Sequence, residues 1–261
     1  MLIQHVVARI NEAIVAFVCH SASGLIRNTA ALAMQDHSSL FSGSIAILVP
    51  HPDDEVIGCF YFVQRYGPTS PIDLIYVTED CRPTVAEVRR REAANATSKL
   101  PVRRKENWGF PDGALQSRCS ALRERITNVS ERYQLILCPA PWDRTPDHRT
   151  LAEETYDAMA AKSRLHHLVW YRSTWLTFPL SDANLIIPGS IAEKRRALRS
   201  FTSQRALALQ NVVSISRLES RRWGPETGAA EGFRVADAGT LPRSPVNALS
   251  IGTLFKLGQL L

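Results

Sequence analysis

Paired cysteines are missing from this sequence. Its 261 residues contain five, Cys19, Cys59, Cys81, Cys119 and Cys138, and no two of them form a Cys-x-x-Cys pair. An odd count without that spacing excludes a disulfide scaffold and a thiolate zinc cluster, and reads instead as separate thiols in a reducing compartment, so the expected address is cytoplasmic. Long apolar runs are missing as well. The stretch Ala13–Cys19 follows Arg9, Asn11 and Glu12 and is closed by His20 and Ser21, far short of the ~20 residues of a membrane span. It also lacks the flanks of a signal peptide, so membrane association is not expected. Charged residues make up only 21% and aromatics 8%, which excludes a solvated polyelectrolyte and leaves a chain that folds. Its net charge of +6, from 31 Lys plus Arg against 25 Asp plus Glu, invites a nucleic-acid reading. The basic runs Arg89–Arg91, Arg103–Lys105 and Lys194–Arg196 are scattered and have no aromatic interleaving. They read as solvated helix faces and loops, with no nucleic acid as partner.

Periodicity divides the chain. Leu2, Val6, Val7, Ile10, Ile14, Phe17 and Val18 recur at helical steps, a second helical piece covers Ile26–Met34, and a polar linker runs to Gly43. Residues 1–43 are thus expected to be a helical extension, 44–240 one α/β domain and 241–261 a tail. Within the domain, strands are expected at Ser44–Val49, Ile72–Thr78, Asn107–Phe110, Leu135–Cys138, Leu168–Tyr171 and Thr174–Phe178. Helices are expected at Val56–Tyr66, Val85–Leu100, from the Pro111–Ala114 turn to Tyr133, at Thr150–Lys162, and at Ile191 to about Leu209. This alternation predicts a parallel, doubly wound sheet. The ligand site of such a sheet lies beyond the carboxyl ends of its strands.

The residues at that position are unusual. Directly after the first strand, Pro50-His51-Pro52-Asp53-Asp54-Glu55 places one imidazole and three carboxylates at the start of a helix. Helix capping accounts for one or two acids there, not for the whole set. His51 and Asp54, three apart, can converge on one point, and His148, after the strand ending at Cys138, can supply a third ligand. Zinc accepts such a nitrogen and oxygen set and keeps a fourth position open for water. Asp53 is then free to take a proton from that water, the division of labour of metal-assisted amide hydrolysis. His166 and His167 are adjacent at a strand start, point to opposite faces and cannot share an ion.

Pro50–Glu55 followed by Val56-Ile57-Gly58-Cys59 resembles the opening motif of the PIG-L/LmbE-like N-acetylglucosaminyl deacetylases. Further similarities follow in order: Arg89-Arg90-Arg91-Glu92, Phe110-Pro111-Asp112-Gly113, Pro146-Asp147-His148-Arg149, Lys194–Leu198, Ser203-Gln204 and Ala230–Phe233. They span roughly Ile45–Val235. The resemblance implies a Rossmann-like, mostly parallel sheet flanked by helices. It implies a Zn2+ site on His51, Asp54 and His148, other divalent metals being accepted, with Asp53 as general base. Arg89 and Asp112 would contact the substrate, and Asp147 would support the site from behind. The implied substrate is a small molecule or glycoconjugate bearing N-acetylglucosamine, and a homo-oligomer stays open.

The sequence also departs from the family. Thr145 stands where a histidine is usual, and it can donate a hydrogen bond to substrate but carries no positive charge. Phe60 and Tyr61 replace small residues, and Thr78-Glu79-Asp80 lacks a glycine. Two alternatives follow: a metal-retaining sugar-binding protein with weakened catalysis, motivated by Thr145, and an amidase for a non-sugar N-acyl substrate, suggested by Phe60 and Tyr61.

Overall fold

Strand-forming runs buried on both faces alternate with helices from Ile45 onward, and the chain folds accordingly. A computed structural model describes residues 38–143, 145–173, 178, 183–204, 209–223 and 228–236. The helices expected over Leu2–Val18 and Ile26–Met34, most of the strand expected at Thr174–Phe178, and the tail 241–261 lie outside the described residues. The elements are β1 (Ile45–Val49), α1 (Asp54–Tyr66), β2 (Ile72–Glu79), α2 (Pro83–Ala96), β3 (Arg104–Pro111), α3 (Cys119–Arg132), β4 (Leu135–Pro139), α4 (Pro146–Ala161), β5 (Leu168–Tyr171), β6 (Leu185–Pro188), α5 (Ile191–Leu198), α6 (Leu209–Trp223) and β7 (Ala230–Val235).

The sheet has seven strands in the order β3-β2-β1-β4-β5-β7-β6. From β3 to β5 all neighbours are parallel. The chain leaves β1 towards β2 and β3 and then returns to β4 on the other side of β1. That reversal opens a crevice beyond the carboxyl ends of β1 and β4, the ligand position of doubly wound sheets. Alternate residues of β1 feed two cores. Ile45, Ile47 and Val49 pack with Phe62, Val63 and Phe233, and Ala46 and Leu48 pack with Ile126, Leu151 and Trp170. Gly58 lets α1 lie close on the sheet: a Cβ there would come within 2.4 Å of the Tyr171 ring and 2.5 Å of the Arg172 carbonyl.

The mostly parallel sheet flanked by helices is the one expected, with β7 pairing antiparallel with both β5 and β6. Two other expectations are corrected. Helix α4 begins at Pro146 rather than Thr150, since proline is preorganised for a first helical position where its missing N–H is not needed. The helix expected from Ile191 to about Leu209 ends at Leu198, and Leu209 starts a separate helix. Buried Phe201 turns the chain inward. Glu92 then holds the next residues, accepting from Thr202 Oγ1 at 2.7 Å, Ser203 N at 2.7 Å and Ser203 Oγ at 2.6 Å. No described helix is long and apolar enough to cross a membrane.

Candidate active site

The turn from β1 into α1 brings His51, Asp53 and Asp54 to the crevice, and the first turn of α4 brings Asp147 and His148. Asp53, just before α1, adopts φ 137° and ψ −29°, a strained conformation for a residue with a side chain and one that recurs at functional sites. Three donor atoms converge. His51 Nδ1 lies 3.0 Å from His148 Nε2, and Asp54 Oδ2 lies 3.1 Å from His148 Nε2 and 3.6 Å from His51 Nδ1. A tetrahedral ion with ligand bonds of ~2.0–2.2 Å has donors roughly 3.3–3.5 Å apart. The three residues therefore fit a small divalent metal.

The outer nitrogens of both imidazoles face carboxylates. His51 Nε2 is 3.2 Å from Asp147 Oδ2 and 3.2 Å from Asp112 Oδ1. Asp147 is fixed by backbone N–H groups, Gly113 at 2.7 Å and Leu115 at 3.1 Å. His148 Nδ1 is 2.8 Å from Ser173 Oγ and 3.1 Å from Asp143 Oδ2, and Ser173 Oγ is 2.7 Å from Asp143 Oδ2. A carboxylate behind each ring favours a proton on the outer nitrogen and leaves the inner lone pair for a cation. A second group, His51, Asp112 and Asp147, also brings ligand atoms within 4.8 Å of one another. Its carboxylates are already occupied by Arg89 and by backbone N–H groups, so the buried triad is the better cation site.

Electrostatics agree with this division. Despite burial, the facing His148 and His51 imidazoles hold the Asp54 carboxyl well below the usual range. Burial pushes Asp53 up, and the charges of Asp54 and Glu55 push it further, a direction that suits a proton acceptor. Burial also raises Glu55 to about 7, against hydrogen bonds from the Asp53 N–H and the Tyr76 hydroxyl. His148 is raised to about 9: burial opposes its charge, but Asp54 and Asp143 favour it more.

Of the residues singled out in the sequence, the structure brings together His51, Asp53, Asp54, Asp112, Asp147, His148 and Arg89. The Arg89 guanidinium donates to Asp112 Oδ2 at 2.9 Å and to Gln204 Oε1 at 2.7 Å. Thr145 sits just before α4, where its N–H donates to Asp143 Oδ1 at 2.8 Å and its hydroxyl caps no helix N–H. Phe60 and Tyr61 are placed elsewhere, 4% and 1% exposed within the core under α1. They cannot shape a substrate pocket, and the non-sugar amidase reading loses its motive. Sequence reasoning missed the roles of Asp143, Ser173 and Gln204. Asp143 lies five residues before His148 in the same acidic loop, a usable signal, whereas nothing near Ser173 marks it.

Comparison with known proteins finds a family match over part of the chain. Residues 46–159 match the family model described as PIG-L: GlcNAc-PI de-N-acetylase. No curated protein matches the sequence. Among solved structures, N,N'-diacetylchitobiose deacetylase from Pyrococcus horikoshii aligns with a TM-score of 0.62 at 18% identity, covering 82% of this chain and 91% of that one. GalB, the 4-carboxy-2-hydroxymuconate hydratase of Pseudomonas putida KT2440, aligns with a TM-score of 0.59 at 15% identity, over 77% and 100% of the two chains. A triple mutant of a deacetylase of the teicoplanin biosynthetic pathway aligns with a TM-score of 0.59 at 16% identity, over 76% and 99%. These structures share the α/β scaffold, and one of them is a hydratase, so the residues of the site must decide the chemistry. Residues 46–159, which hold the converging His51, Asp54 and His148, are thus similar to the PIG-L family.

Proposed function

We propose that the protein is a zinc-dependent hydrolase that removes the N-acetyl group from an N-acetylglucosamine-type sugar in a glycoconjugate or secondary metabolite. The observation that carries this reading is the buried His51–Asp54–His148 triangle with Asp53 beside it. The match of residues 46–159 to a de-N-acetylase family supports the sugar amide as substrate.

His51, Asp54 and His148 would hold the ion. When bound, a divalent zinc lowers the pKa of a coordinated water to about 7 and polarises the amide carbonyl. The remaining work belongs to the chain. Asp53, held in place by its strained backbone and by its N–H to Glu55 at 2.9 Å, takes the proton of the attacking water and returns it to the leaving nitrogen. Asp147 and Asp143 keep the two imidazoles in the tautomer that leaves their inner nitrogens free. Arg89 and Asp112, paired at the rim, present a charged wall to the sugar hydroxyls. Thr145 adds a neutral donor and no positive charge.

The test is acetate release from N-acetylglucosamine conjugates together with metal content. Wild-type protein should hold one zinc and release acetate. Asp53→Asn should keep the zinc and lose turnover by at least about 10²-fold, as expected for loss of a general base. A normal rate in this variant would remove Asp53 from the mechanism. A second reading, a metal-retaining sugar-binding protein, rests on Thr145, and it would show tight sugar binding with no acetate released by the wild type.

A further inference from the structure

Helix α1 carries Asp54 at its first position, and its backbone is entered by a buried ion pair from the far end of the chain. Lys194, on α5, is 1% exposed, and Glu231, on β7, is 4% exposed. Their Nζ and Oε1 atoms are 2.6 Å apart. Lys194 Nζ also donates to the Ile57 carbonyl at 2.7 Å. The Glu231 carboxylate accepts from the backbone N–H of Phe60 at 3.0 Å, Tyr61 at 2.9 Å and Phe62 at 3.3 Å. The Ile57 carbonyl and the Tyr61 N–H stand one helical turn apart, facing each other along α1. Here a cation meets the carbonyl end of the first turn and an anion meets the N–H groups of the turns that follow, each with the charge that its end of a helix dipole attracts.

A related arrangement lies on the His148 side. Arg172 Nε donates to Glu219 Oε1 at 2.5 Å, and Glu219 also accepts the N–H of Gly232, the neighbour of Glu231. The residue after Arg172 is Ser173, whose hydroxyl lies against His148 Nδ1. Both ion pairs draw on segments beyond the residues that match the family model.

We infer that Lys194 and Glu231 are positioning residues for the metal site: by bonding to the α1 backbone at Ile57 and at Phe60–Phe62 they fix the aim of its first turn and so the distance of Asp54 from His148. The inference rests on the proposed metal-dependent function. A purely stabilising ion pair makes a different prediction. Replacing a buried pair by apolar side chains of similar volume is often neutral for stability or better, so Lys194→Met/Glu231→Leu removes the pair without leaving a lone buried charge.

The experiment measures zinc affinity by competition with a chelator, and the absorption spectrum of the cobalt-substituted protein, for wild type and this double variant. If the pair positions Asp54, the folded double variant binds zinc about tenfold or more weakly, the loss typical when supports behind a metal ligand are removed, and its cobalt band changes intensity. Wild-type affinity and spectrum in the folded double variant would overturn the inference. Glu231→Gln, which keeps the shape and one acceptor, is the second probe: a smaller loss of affinity is expected, and no loss overturns the inference even if the double variant does not fold. A wild-type chain that binds no zinc would overturn the metal-dependent function itself, and this inference with it.

Discussion

Asp53 shows most clearly what a residue's neighbours ask of it. Its place between His51 and Asp54, the two proposed metal ligands of this segment, was legible in the sequence, and so was its carboxylate chemistry. Its backbone was not: φ 137° belongs to the region that glycine occupies freely and other residues adopt at a cost of about 1–3 kcal/mol. Burial and the carboxylates of Asp54 and Glu55 add a second cost to its charged form. These two terms can be separated. Asp53→Asn removes the charge and keeps the strain, whereas Asp53→Gly removes both. In thermal or urea unfolding of the metal-free protein, Asp53→Gly should be more stable than Asp53→Asn by about 1 kcal/mol, the strain released less the extra backbone entropy of glycine. Equal stabilities would mean that the local fold, and not the side chain, sets this conformation without cost. Ser173 lies at the opposite limit of legibility. It acts by facing His148, and only the return of the chain along β5 brings it there.

Elements were legible where pattern and position agree. Strand β1, a continuous apolar run, and α1 after it were expected within two residues of where they stand, because burial on both faces leaves little choice of residue. Strands β6 and β7 were not foreseen. They are short, and β7 contains Glu231, Gly232 and Arg234, so neither alternation nor a simple apolar run marks it. Its carboxylate serves α1 rather than solvent, which inverts the usual meaning of an acid in a strand. Gly58 offers a test at this scale in which two principles disagree on sign. Helix propensity says that Gly58→Ala stabilises α1 by up to about 1 kcal/mol. The close approach says the reverse, since the new methyl would meet the Tyr171 ring at 2.4 Å and the immobile Arg172 carbonyl at 2.5 Å. Overpacking of this kind costs about 1–3 kcal/mol, so the variant should unfold at lower urea concentration than the wild type. A gain in stability would mean that α1 can lift off the sheet freely.

In the whole molecule the net charge of +6 conceals a local arrangement of opposite sign. Asp53, Asp54, Glu55, Asp112, Asp143 and Asp147 gather at the carboxyl ends of β1, β3 and β4, with Arg89 among them. The topology explains why: β1 and β4 are neighbours in the sheet but far apart in the chain, so His51 and Asp54 reach the crevice from one segment and His148 from another. A cation bound there ties the two together and favours the folded chain over the unfolded one by mass action. At a free zinc concentration 100 times its Kd the gain is about 2.7 kcal/mol. For a domain of this size each kcal/mol moves the Tm by roughly 2–4 °C, so zinc should raise the Tm by roughly 5–10 °C and a chelator should reverse the rise. His148→Ala removes the ligand from the second segment and should abolish most of the shift, although Asp54 and His51 remain. A rise of the same size in that variant would place the stabilising ion on one segment alone and would break the link between sheet topology and metal site.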